Sequence, residues 1–183
     1  MNSSYTNKDI DYGELIEAIT LSQKPKSIVE IGILDGYSLH HFINSTNNKT
    51  TTIQAYDIFD KFNGNHAREP ELKERFKNNH NLSIHYGDFY EVYKNIEDNI
   101  DIIHIDIANN GDTYEYAVQH YLSKLSPTGI MLLEGGSEER DEVYWMKKYN
   151  KPKIATILTK YANDYTIKTF GKHPSLTLIS LSR

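Results

Sequence analysis

The chain contains no cysteine. Disulfides and thiolate-bound zinc are thereby excluded, which suits a cytosolic setting and sets the expectation of a cytoplasmic protein. It has no apolar stretch approaching membrane-spanning length. Its opening residues, Met1-Asn2-Ser3-Ser4-Tyr5-Thr6, are not those of a signal peptide, so no membrane partner is expected. Basic runs are missing as well. Lysine and arginine number 20 against 25 aspartates and glutamates, a formal net charge of −5. That balance argues against a nucleic-acid backbone as the main partner. There is no internal repeat, low-complexity tract or interdomain linker. Two common nucleotide fingerprints are absent too. A dinucleotide motif starting at Gly32 would need glycine where Leu34 and Tyr37 stand, and no Gly-Lys-Ser/Thr follows to make a phosphate loop.

What is present describes a globular chain of 183 residues, 38% hydrophobic and 25% charged, read as one domain over 1–183 with a loose polar segment at 1–8. Its organising stretch runs from Ser27 to Ser38. Ile28, Val29 and Ile31 form a short apolar run interrupted by Glu30. Gly32 and Gly36 follow, and then a helical segment from Ser38. A buried strand, a glycine turn and a helix make the mouth of a nucleotide-binding α/β sheet. Glycines there let the backbone turn sharply and approach a ligand.

The remaining chain alternates in the same way. Asp11 to Leu21 reads as a helix ahead of the first strand. A second strand, Thr51 to Tyr56, ends at Asp57. A loop over 61–70 contains His66, and a charged helix is expected from Glu71 to Asn79. The third strand, Leu82 to Tyr86, leads into Gly87-Asp88-Phe89, with a short helix from Tyr90 to Ile96. Ile100 to Ile107 is a strongly apolar fourth strand with Asp106 at its C-terminal end. His104 faces away from Ile103 and Ile105 and reads as a packed polar residue. A helix over Thr113 to Leu125 and a Pro127-Thr128-Gly129 turn lead to the fifth strand, Ile130 to Leu133, which ends in Glu134-Gly135. Helices are expected over Glu138 to Tyr149 and Lys153 to Tyr161. Tyr165 to Phe170 and Ser175 to Leu181 are joined so tightly that they must be antiparallel. The fold class expected is α/β: Rossmann-like, a mostly parallel sheet flanked by helices with a C-terminal antiparallel hairpin.

The motif Glu30-x-Gly32-x-x-x-Gly36-x-Ser38 resembles the first motif of class I S-adenosylmethionine-dependent methyltransferases. It is most similar to the small O-methyltransferase branch of the macrocin and caffeoyl-CoA type. Gly87-Asp88, Asp106 with Tyr114-Glu115, and Leu125-Ser126-Pro127-x-Gly129-Ile130 extend the resemblance over nearly the whole chain. The resemblance implies a donor, S-adenosyl-L-methionine, held by Glu30, Gly32, Gly36, Ser38, Asp57, Asp88, Phe89 and Asp106. It gives Asp57 the ribose, since a carboxylate about 20 residues past the first glycine can accept from both hydroxyls; Asp60 is a competing candidate, and Asp57 is favoured because it directly ends the apolar run. Asp88 would accept from the adenine amino group, with Phe89 covering the ring.

The function implied is O-methylation of a small-molecule hydroxyl. Asp106 and Glu134 end neighbouring strands, so either can serve as base, and together they can hold Mg²⁺. Gly135 stands where relatives often carry a second acid, which leaves the metal short of a ligand unless Asn109, Asn110 or Asp112 supplies one. His66 is a further catalytic candidate because its loop lies at the substrate mouth in the resembling enzymes. With no substrate domain, the chain can use a second copy to cover its site, so a homo-oligomer is expected. A non-methyltransferase enzyme, hydroxylase- or lyase-like, or a non-catalytic binding protein on the same scaffold is the alternative. The acceptor pocket is expected from 1–8, 61–70, 108–113 and the region after Gly135.

Overall fold

The structure is a computed structural model that describes residues 3–7, 9, 11–46 and 50–182. Seven strands form one sheet: β1 (Ser27–Ile31), β2 (Thr52–Asp57), β3 (Leu82–Tyr86), β4 (Ile100–Ile105), β5 (Leu125–Glu134), β6 (Tyr165–Gly171) and β7 (Ser175–Leu181). Their spatial order is β3-β2-β1-β4-β5-β7-β6. Strands one to five run parallel. β7 enters antiparallel between β5 and β6. The order reverses beside β1, which opens a crevice at the carboxyl ends of β1 and β4, where open α/β sheets bind ligands.

Strand periodicity explains the layering. On one face Val29, Ile31, Ile103, Ile105, Met131 and Leu133 pack beneath α4 (Phe89–Val92), α5 (Gly111–His120) and α8 (Ile154–Tyr161). On the other, Ile28, Ile53, Ile102 and Leu132 meet α1 (Gly13–Gln23), α2 (Tyr37–Asn44) and α3 (Glu69–Arg75). Both faces of the central strands are covered, so their sequences are nearly continuously apolar rather than alternating. Glu30 and His104 are the exceptions. They are direct register partners on β1 and β4, and both are fully buried.

Some expectations are corrected. Among the described residues of 1–8, Tyr5 is 0% exposed and belongs to the α1–α3 core, while positions 1, 2 and 8 lie outside the description. The helix expected over Glu138 to Tyr149 is two short ones, α6 (Glu138–Asp141) and α7 (Tyr144–Lys148), because Val143 is extended between them. The Asp141 carboxylate turns toward the start of α8, accepting from Ile154 N and Ala155 N at 2.9 Å each. β5 begins earlier than its apolar run, at Leu125, with a register irregularity opposite Ile100–Ile102 that takes up Pro127 to Gly129.

Candidate functional site

A cavity of about 580 Å³ opens over the carboxyl ends of β1 to β4. It is lined by Gly32, Ile33 and Ser38 from the glycine turn, by Asp57 and Ile58 after β2, by Asp88, Phe89 and Tyr90 after β3, and by Asp106 and Ile107 after β4. Ser3 and Ser4 enter from the N-terminal segment, Phe62, Gly64 and Asn65 from the 61–70 loop, and Lys151 from the loop before α8. Its size is that of a small-molecule site.

Two glycines shape the turn. Gly32 has φ +92, and a Cβ there would sit 1.9 Å from the Asp106 carbonyl oxygen, so the turn and the end of β4 pack backbone against backbone. Gly36 has φ +75 and starts α2, but it does not line the cavity. A Cβ there would strike the Phe76 ring at 2.8 Å, so the role expected for Gly36 is corrected from donor contact to helix packing.

Asp57 holds the turn. Oδ2 accepts from Ile33 N at 2.7 Å and Leu34 N at 3.1 Å, while Oδ1 accepts from Phe59 N and Asn65 Nδ2 at 2.7 Å each. A carboxylate has about four acceptor positions, and all are taken. The ribose role expected for Asp57 is therefore corrected: its carboxylate organises the loop that lines the cavity. Asp88 differs. Its Oδ1 caps α4 through Tyr90 N at 2.9 Å, and its Oδ2 accepts nothing among the described residues. Phe89 is buried beside it and stacks on Tyr121 at 5.3 Å between centroids.

Glu30 is corrected as well. It does not reach the cavity. It accepts from the Ser38 hydroxyl and stands 3.3 Å from His104 Nδ1, outside hydrogen-bond geometry. His104 Nε2 meets the Tyr5 hydroxyl at 2.7 Å. Glu30 thus fixes Ser38, which does line the cavity, from underneath.

Asp106 is half-buried in the cavity lining, and Ser4 Oγ donates to its Oδ2 at 2.5 Å. Removal from bulk water, reinforced by the Glu134 charge, pushes its pKa up to about 7. Glu134 meets a different fate from the one expected. It is 3% exposed, and Arg140 grips both its oxygens, Nε to Oε1 at 2.6 Å and Nη2 to Oε2 at 2.7 Å. Burial holds its pKa above the ordinary glutamate value, and the guanidinium opposes part of that rise. The bidentate arginine takes one acceptor position on each oxygen, and its positive charge opposes a second cation there. Asn109, a possible extra ligand, spends its amide on Ile105 O and Glu134 O, tying the ends of β4 and β5 together. Among the described residues no three metal-ligating side chains come together. The donor set at Asp106 and Glu134 does not fit Mg²⁺, and the catalytic and metal roles of Glu134 are corrected to a structural ion pair.

His66 is also displaced from its expected role. It lies outside the cavity lining, 53% exposed, with Nε2 on Asp35 Oδ1 at 2.9 Å. Three residues that matter here carried no readable signal: Ser4, Tyr5 and Arg140. Arg140 was open to suspicion only as the lone cation in Glu138-Glu139-Arg140-Asp141-Glu142.

Comparison with known proteins agrees with this geometry. No curated protein matches the sequence. Among solved structures, the SAH-bound methyltransferase PaMTH1 of Podospora anserina superposes with a TM-score of 0.72 at 19% identity, over 93% of this chain and 78% of that one. The O-methyltransferase TomG of Streptomyces achromogenes, in complex with SAM, gives 0.71 at 15%, over 93% and 79%. The Bacillus cereus O-methyltransferase in complex with SAH gives 0.70 at 15%, over 99% and 84%. At these identities the likeness is one of fold. A sequence profile described as a methyltransferase domain matches residues 29–134, the span from the first strand's glycine motif to Glu134. With more than half its length matched, from the turn that lines the cavity to the end of β5, this chain belongs to the methyltransferase-domain family.

Proposed function

We propose that this protein transfers a methyl group from S-adenosyl-L-methionine to the hydroxyl of a small molecule, with Asp106 taking the acceptor's proton. The carrying observation is the cavity itself, with carboxylate oxygens free among the described residues at Asp88 Oδ2 and Asp106 Oδ1 and an aromatic wall at Phe89 and Tyr90. The donor group fits these residues. Asp88 would take the adenine amino group, Phe89 and Ile58 its flat faces, and the turn 32–34 the amino-acid end. Three aspartates against one lysine among the lining side chains favour a cationic donor. When bound, the donor supplies an activated methyl carbon on sulfonium.

The protein's own share is alignment and proton removal. Alignment comes from a rigid frame: Asp57 fixes the turn, and the Gly32–Asp106 backbone contact fixes the turn against β4. A carboxylate with a pKa of about 7 is half ionised near neutrality, where a general base is most effective. Nothing in this route uses a divalent cation, in keeping with the Arg140 grip on Glu134. The remaining expectations, one catalytic domain over 1–183 and a cytoplasmic setting, fit this reading. Among the described residues no helix is long and apolar enough to cross a membrane.

The test is release of S-adenosylhomocysteine in the presence of a panel of phenols and alcohols, in wild type and Asp106→Asn. Loss of turnover by about 10²-fold or more with donor binding intact supports the base assignment. Turnover that survives the substitution removes Asp106 from the chemistry. Activity should also fall as pH drops through about 7, because protonation removes the base.

A further inference from the structure

The N-terminal segment reaches the cavity at one point. Ser3 and Ser4 line it, and the Ser4 hydroxyl is the described side-chain donor on the Asp106 carboxylate, leaving Oδ1 free. The next residue, Tyr5, is buried completely, and its hydroxyl sits 2.7 Å from His104 Nε2. His104 in turn faces Glu30 across β1 and β4. The segment is held from Tyr5 onward: Tyr12 N donates to Tyr5 O at 3.3 Å, Thr6 bridges to Asp11, and Asn7 Nδ2 donates to His173 O at 3.2 Å. A polar tail with no apolar period is therefore seated in the core by one aromatic ring whose polar end meets a buried partner.

We propose that Ser4 is a positioning residue for Asp106, carried into place by Tyr5, whose hydroxyl is seated on the buried His104. The inference rests on the reading of Asp106 as the group that takes the acceptor's proton. A hydroxyl on one oxygen of a carboxylate fixes the plane of the group and directs the other oxygen at the cavity, the same logic by which a base is oriented by a third residue. Glu30, the acid of the glycine motif, faces His104 across β1 and β4 and lies outside the cavity lining.

Electrostatics supports this division of labour. The charged and titratable groups facing Asp106 are Glu30 from β1, His104 from β4, Glu134 from β5, Arg140 from α6 and Tyr5 from the N-terminal segment. Glu134 and Glu30 disfavour its ionised form and His104 favours it. The Ser4 hydrogen bond adds to the favourable side, offsetting part of the cost of burial.

The experiment is a ¹³C-carboxyl NMR titration of the whole protein, with Asp106→Asn identifying the Asp106 resonance. It needs neither donor nor acceptor. Loss of the hydrogen bond in Ser4→Ala should raise the Asp106 midpoint by about one pH unit. Tyr5→Phe, which keeps the ring and loses its anchor, should raise it in the same direction, and Ser4→Thr should restore the wild-type value. An unchanged midpoint in Ser4→Ala, or no restoration in Ser4→Thr, overturns the positioning role. A wild-type midpoint in Tyr5→Phe overturns the anchor. Calorimetry with S-adenosylmethionine runs alongside: failure to bind would strike the methyl-transfer reading and leave the titration result standing.

Discussion

At the scale of single residues, the most informative side chain is Asp57. Its place was legible: an apolar run ends, and an acid stands at the mouth of the sheet at the right distance from a glycine turn. Its occupation was not legible, because the four donors arrive from three places, the turn at 33–34, its own loop at Phe59, and Asn65. Acceptor capacity is a property of the assembled fold. Asp57→Ala should therefore weaken donor binding by about 1–3 kcal/mol through a loosened turn. The loss should be equal for S-adenosylmethionine and for its 2′-deoxy analogue in calorimetric titrations. A clearly smaller loss for the deoxy analogue would return Asp57 to direct ribose contact.

At the scale of elements, the ends of β4 and β5 are held by buried polar groups. Asn109 and Tyr114 both donate to the Glu134 carbonyl, and Arg140 closes over its carboxylate. The adjacency of Asp106 and Glu134 follows from strand order, which the methyltransferase resemblance implied. Arg140 was hidden because it stands as a lone cation among the acids that start its helix, and only the assembled fold sets its guanidinium on Glu134. Removing one partner of a buried ion pair leaves an uncompensated charge, so Arg140→Ala should cost about 3–5 kcal/mol in chemical denaturation. Replacing both partners together, Glu134→Leu with Arg140→Met, should cost much less. Equal losses in the single and double variants would contradict the pairing. The short helices were the least legible elements for a related reason. Asp141 spends its carboxylate on the start of α8, a contact that no local period announces.

At the scale of the whole molecule, the strands, the antiparallel pairing of β6 with β7 and the place of the cavity follow from patterns visible along the chain. Apolar runs mark the strands, glycines mark the first turn, and acids stand at the ends of β2, β3 and β4. What stayed hidden were contacts across long sequence separations. Ser4 to Asp106 and Tyr5 to His104 span almost a hundred residues or more, and neither partner advertises the other. The central claim is that the cavity at the carboxyl ends of β1 to β4 binds a sulfonium nucleoside. Isothermal titration of the wild-type protein tests it most directly, with S-adenosylmethionine, S-adenosylhomocysteine and NAD⁺ as ligands. Saturable one-to-one binding of the first two and none of the third is expected, since Leu34 and Tyr37 replace the glycines a dinucleotide needs. No binding of either adenosyl ligand, or equal binding of NAD⁺, would contradict it.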